Sequence, residues 1–144
     1  HTDDRVLVDQ DGREAVLCNR RDGLGLEQLR KTGLPMLVLS KEQNPVVQAR
    51  SKKLGLACLS GIEAKLPALE RWCKEQGISL ASVVYVGNDV NDSECLAAVG
   101  CGVAVADAHP EAKRRARFVL EQPGGQGALR ELCELILERR RQAP

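Results

Sequence analysis

Aromatic rings are nearly absent from this chain: one Trp, one Tyr and one Phe make up 2% of its 144 residues. A core built without them is aliphatic, and Val, Leu and Ala are abundant enough to supply it. The scarcity also argues against single-stranded nucleic-acid binding, which relies on stacking platforms. Charge excess is missing too. The net is +1, so no overall field selects an acidic partner. Lys113-Arg114-Arg115 with Arg117, and Arg139-Arg140-Arg141, fall on expected helices and read as solvated faces, not as a nucleic-acid patch. No apolar stretch approaches the roughly 18 residues of a membrane span, and no leader pattern is read at the start. None of the six cysteines (Cys18, Cys58, Cys73, Cys95, Cys101, Cys133) forms a C-x-x-C pair. They are expected to be buried free thiols in a reducing compartment, which places the protein in the cytoplasm.

What is present is a regular alternation. The length suits one domain with a real core. Arg5 to Asp9 and Glu14 to Cys18 read as two strands joined at Gln10-Asp11-Gly12, a hairpin. A helix is expected from Leu24 to Lys31, stopped by Gly33, then a buried strand at Met36 to Leu39. Pro45 to Leu54 reads as a helix with Asn44 as N-cap and Gly55 as stop. Strands follow at 57–59, 83–86, 103–105 and 118–120, with helices at about 63–75, 92–99, 110–116 and 128–140. Strands alternating with helices imply a parallel sheet covered on both faces, with ligands beyond the carboxyl ends of its strands.

Two strand ends carry polar residues suited to chemistry. Leu37-Val38-Leu39 delivers Ser40, and Val84-Tyr85-Val86 delivers Gly87-Asn88-Asp89-Val90-Asn91-Asp92. Hard oxygen donors of this kind suit Mg²⁺. With Lys65 they make a hydroxyl, an ammonium and an oxygen cluster able to bind a phosphate dianion and its metal. The plainer reading is that Asp89, Asn91 and Asp92 cap the next helix. Gly23-Leu24-Gly25 does not continue as G-x-G-x-x-G after a buried strand and is not a nucleotide loop. Response-regulator receivers use a similar residue set, but their acidic pair follows the first strand, and no such pair is placed that way here.

Four segments carry a specific resemblance: Arg21-Asp22-Gly23-Leu24-Gly25, Tyr85-Val86-Gly87-Asn88-Asp89, Val103-Ala104-Val105-Ala106-Asp107-Ala108-His109-Pro110 and Gly124-Gly125-Gln126-Gly127-Ala128-Leu129-Arg130-Glu131. In them the chain resembles the haloacid dehalogenase (HAD) superfamily. The similarity is to its 3-deoxy-D-manno-octulosonate 8-phosphate phosphatase branch and to the phosphatase-like domain of some acylneuraminate cytidylyltransferases. The resemblance implies a Rossmann-like α/β domain with a hairpin flap at 5–19 and a core at 20–144, a Mg²⁺ cofactor and a phosphorylated sugar acid as substrate. By that resemblance Ser40 and Lys65 bind phosphate. It also implies that Asn88 and Asp92 face the metal, and the cluster itself adds Asp89 as a weaker candidate. The flaps pack into a homotetramer, where Arg130, and with it Arg21, serves the substrate site or a neighbouring one.

Two departures are visible. The family's strand followed by D-x-D-G, whose first aspartate attacks phosphorus, is not found here, and Asp3 and Asp4 follow no strand that would let them replace it. Asn88 stands where the family usually has an aspartate, and Lys41-Glu42 replaces a Gly-Arg. The expectation is therefore a phosphatase domain inactive in this chain. The alternative is a non-catalytic oligomerisation domain associated with a cytidylyltransferase of sialic-type acids.

Overall fold

The computed structural model describes residues 2–142. Its elements run in the order hairpin, helix, then five strands separated by helices. Strands β1 (Leu7–Val8) and β2 (Glu14–Ala15) pair antiparallel around the Asp11-Gly12 turn. Gly12 takes φ +76°, which a side chain would resist. The hairpin is shorter than its apolar sequence suggests. Val6, Leu7, Val8 and Leu17 all stay exposed, so nothing within the protomer extends the pairing by burying it.

Helix α1 (Arg20–Arg30) begins four residues earlier than the apolar pattern indicates, because Asn19 caps it by accepting from the Arg21 amide at 2.9 Å. Strand β3 (Leu37–Leu39) leads to α2 (Val46–Leu54), which Gly55 ends in the left-handed conformation. Asn44 still serves that start, its Oδ1 accepting from Val46 at 3.0 Å. Then come β4 (Ala57–Leu59), α3 (Lys65–Glu75), β5 (Val84–Gly87), a short 3₁₀ turn at Val90–Asp92 and α4 (Ser93–Ala98). The chain continues through β6 (Cys101–Ala104), α5 (Pro110–Arg115), β7 (Phe118–Val119) and α6 (Ala128–Gln142).

All pairing among β3 to β7 is parallel, as the alternation requires, but it falls into two groups. β3 pairs with β4 in the register Leu37–Ala57 to Leu39–Leu59. β5, β6 and β7 form the second group, Val84 opposite Cys101 and Val103 opposite Phe118. Among the described residues no ladder joins β3 to β5, so each offers one unpaired edge. The half-burial of Leu37, Val38 and Leu39, expected to be buried on both faces, follows from that open edge. The core lies under the second group, where Tyr85, Leu96, Val103, Ala104, Val105 and Leu120 pack together.

The cysteines correct the expectation in part. All six are free, but only Cys73, Cys95 and Cys133 are buried. Burial pushes the Cys95 and Cys133 thiols up to about 11, so they behave as small apolar side chains. The first and last helices close on each other. Asp22 of α1 is buried, and its Oδ1 accepts from the Arg130 amide in the first turn of α6 at 2.9 Å. A methyl group on Gly25 would stand 3.0 Å from the Arg130 Cα, so glycine is what permits this approach.

Candidate functional site

The two strand ends singled out from the sequence meet. Ser40 after β3 and Asn88 and Asp89 after β5 line one open pocket of about 600 Å³, together with Lys65, Asp4, Lys41, Glu42, Gln43, Glu63 and Asn91. The carboxyl ends of β3 and β5 thus meet on one rim, the place where α/β proteins bind ligands.

Each side of the pocket is held by backbone bonds. The Ser40 amide donates to the Leu59 carbonyl at 2.8 Å, and the Ser40 carbonyl accepts from Ile62 at 3.0 Å. Its hydroxyl accepts from the Glu42 amide at 3.1 Å, which leaves the hydroxyl proton available. Across the pocket the Asn88 carbonyl accepts from the His109 amide at 2.7 Å. The Val103–Pro110 segment therefore buttresses the Asn88 loop, and Asp107 in turn accepts from the Gly124 amide at 2.8 Å.

Lys65 and Asp92 are the buried centre of the site. Lys65 begins α3 and is 9% exposed, and Asp92 is 3% exposed. The ammonium lies 2.7 Å from Asp92 Oδ1, and the Tyr85 hydroxyl donates to the same oxygen at 2.6 Å. Asp92 Oδ2 accepts from the Asn88 amide at 2.9 Å and, more weakly, from Asp89 at 3.4 Å. Burial opposes the Asp92 charge, yet Lys65 and Tyr85 outweigh it and hold the carboxyl below the usual range. Gly87 is what lets Asp92 sit there, since a methyl at that position would stand 2.5 Å from the Asp92 Cβ.

Both Asp92 oxygens accept from protein donors, so in the protomer it anchors Lys65 and the Asn88 loop, and it is not among the residues that line the pocket. Asp89 fulfils the plainer reading as well, because its side chain accepts from Val90 at 2.7 Å and it forms a capping box with Asp92. Asn88 does face the pocket, and its amide donates to the Asp4 carboxylate. Arg21 and Arg130 do not line the pocket of the protomer. Arg21 is exposed, and Arg130 pairs with Glu134 at 2.5 Å along its own helix.

Asp4 is the site residue that sequence spacing missed. It adopts φ 61°, the only left-handed non-glycine backbone among the described residues. Desolvation at the pocket pushes its carboxyl up, with the charges of Asp107, Asp89 and Asp3 adding to the effect, although the Asn88 hydrogen bond works against it. No pattern of residue types marks such a turn in advance. Nor does the strand pattern around Tyr85 mark its hydroxyl as a site group.

The atoms that Asp4, Asn88 and Asp89 could offer a metal are oxygens, the chemistry preferred by hard divalent cations. No group of three or more His, Cys, Asp or Glu able to hold a metal ion forms among the described residues. The fit is therefore to an ion such as Mg²⁺, which retains waters and takes ligand oxygens from its substrate, and not to a cation held in an all-protein cage.

This architecture defines a class. The haloacid dehalogenase-like hydrolase family matches residues 49–132, more than half of the chain, and the chain belongs to that family. Within it, the chain is 34% identical over 137 residues to the 3-deoxy-D-manno-octulosonate 8-phosphate phosphatases of Escherichia coli K12 and Salmonella typhi, covering 94% of this chain and 73% of theirs. A solved HAD family hydrolase from Streptomyces avermitilis is 58% identical at a TM-score of 0.92, over 94% of this chain and 78% of that one. The octulosonate phosphatase of Moraxella catarrhalis, solved with a magnesium ion, a phosphate ion and a KDO molecule, is 30% identical at a TM-score of 0.92. That match covers 95% of this chain and 79% of that one.

Proposed function

We propose that this chain is the phosphate- and magnesium-binding part of a phosphatase acting on a sugar-acid phosphate of the octulosonate or nonulosonate type. The observation that carries the reading is the convergence of Ser40, Lys65 and Asn88 on one pocket, in a chain related to phosphatases of that substrate class. Ser40 Oγ donates to a phosphate oxygen, and Lys65 supplies positive charge from the pocket floor. Asn88 and Asp89 offer oxygens to Mg²⁺, with Asp4 at the mouth. When bound, Mg²⁺ supplies Lewis-acid charge against the phosphate oxygens. Four acids line this pocket against two lysines, and both lysines already have carboxylate partners, Lys41 with Glu63 and Lys65 with Asp92. Phosphate binding is therefore expected to depend on the cation. Calorimetric titration with inorganic phosphate tests this. Binding with Mg²⁺ present, weakened about tenfold in Ser40→Ala by loss of one hydrogen bond to a charged group, is the expected result. Equal affinity with and without Mg²⁺ counts against the reading.

A second reading concerns assembly. The hairpin exposes Leu7 at 72% and Leu17 at 81%, beside Val6 and Val8, a surface more apolar than a monomer ordinarily leaves in water. This favours packing of hairpins into a homotetramer, which would bring Arg21 and Arg130 of one copy toward another. It serves either a catalytic or an oligomerisation domain. Light scattering after size exclusion should return the mass of four chains. A monomer that persists at high concentration rules the assembly out.

A further inference from the structure

The Lys65–Asp92 pair has a third member whose part in the site is not explained by packing. Tyr85 lies on β5, buried at 8% exposure, and its hydroxyl donates to Asp92 Oδ1, the same oxygen that holds the Lys65 ammonium. Burial, and then the Asp92 charge, push the phenol up, so it stays a donor throughout the working range. One carboxylate oxygen thus divides its charge between an ammonium and a phenol. The other oxygen is held by the backbone amides that shape the Asn88 loop.

We propose that Tyr85 is a positioning residue for phosphate: by sharing Asp92 Oδ1 with Lys65, it sets how much of the lysine charge the pocket presents to the anion. The inference rests on the phosphate-site reading above and goes one step deeper into it. With the phenol in place, part of the Asp92 charge is spent on Tyr85, and the ammonium keeps attraction to offer an incoming dianion. Without it, Oδ1 closes on Lys65 alone, and phosphate must compete against a tighter ion pair. The Asp92 oxygens are buried, so water does not readily take the phenol's place.

The chain provides its own probe, since Tyr85 is its single tyrosine. Biosynthetic replacement of tyrosine by 3-fluorotyrosine puts one fluorine in the protein, next to the shared oxygen. Inorganic phosphate titrated in with Mg²⁺ should move that fluorine resonance, with the same midpoint as calorimetry. Tyr85→Phe should weaken phosphate by about three- to tenfold, the worth of one buried hydrogen bond. Cys95→Ala, whose thiol lies against the same phenol without reaching the pocket, should stay within about twofold of the parent. A fluorine line that stays still while calorimetry reports saturation, or a Tyr85→Phe affinity equal to the parent's, overturns the role of Tyr85 and leaves the phosphate site standing. Absence of calorimetric heat in the parent protein overturns the phosphate site itself, and the inference with it.

Discussion

Lys65→Met is expected to cost about 3–5 kcal/mol of stability at neutral pH, the penalty for stranding one member of a buried ion pair. For a chain of this size that is a fall of about 10–17 °C in Tm. The sign of its pH dependence is the sharper test. In the parent protein the folded Asp92 carboxyl is held low. Its contribution is therefore fully present above the ordinary carboxylate pKa and is lost as pH falls through the lower folded value. With Lys65 gone, burial acts on Asp92 with less opposition, and its folded value rises above the unfolded one. The variant then loses least when Asp92 is protonated, so the gap in Tm between parent and variant narrows as pH drops from 7 toward about 4. Thermal melts across that range check it. A gap that stays constant would mean that loss of Lys65 does not raise the folded Asp92 carboxyl. Phosphate binding should disappear in the same variant, because no other cation on the pocket is buried at its floor.

The second large effect concerns the open edges of β3 and β5. Among the described residues neither edge has a ladder partner, while Leu37, Leu39 and Val86 are only partly buried and Val84 is exposed. A chain extended before His1 by an apolar strand ending in Asp-x-Asp-Gly should seat that strand between the two groups. Paired backbone on both sides and newly covered Val and Leu side chains should exceed the ordering cost by about 3–5 kcal/mol. The same strand would bring a carboxylate nucleophile to the rim that holds Ser40 and Asn88. Turnover of a phosphorylated sugar acid with Mg²⁺ should then exceed that of the 144-residue chain by on the order of 10⁴-fold or more, the scale on which a covalent nucleophile matters. Comparable turnover by the unextended chain would mean that the nucleophile lies elsewhere, and Asp4, in the pocket mouth, would be the first residue to replace.

Much of this was legible in the sequence, for reasons that can be traced. Short apolar runs alternating with helical patterns imply parallel strands, and parallel strands put their carboxyl ends on one rim. That is why Ser40 and Asn88, 48 positions apart in number, share one pocket. Gly55 marked a helix end because the left-handed backbone there excludes most side chains. The direction of a carboxylate was not legible. Asp92 has a composition suited to a metal ligand, and only tertiary placement reveals that Lys65, Tyr85 and two amides occupy it. Asp4 escaped for a different reason: its place in the site depends on a single positive-φ residue, which no periodicity encodes. The hairpin strands are shorter than their apolar residues suggest, because in the protomer those residues face outward.

The Asp22 cap on α6 ties the fold to the order in which the chain is made. Helix α1 is made before α6, and its buried carboxylate finds the Arg130 amide only 108 residues later. Until that segment leaves the ribosome, the face of α1 that α6 covers has no protein partner, and the capping oxygen accepts only from water. The seam between α1 and α6 therefore stays open until α6 itself has been made.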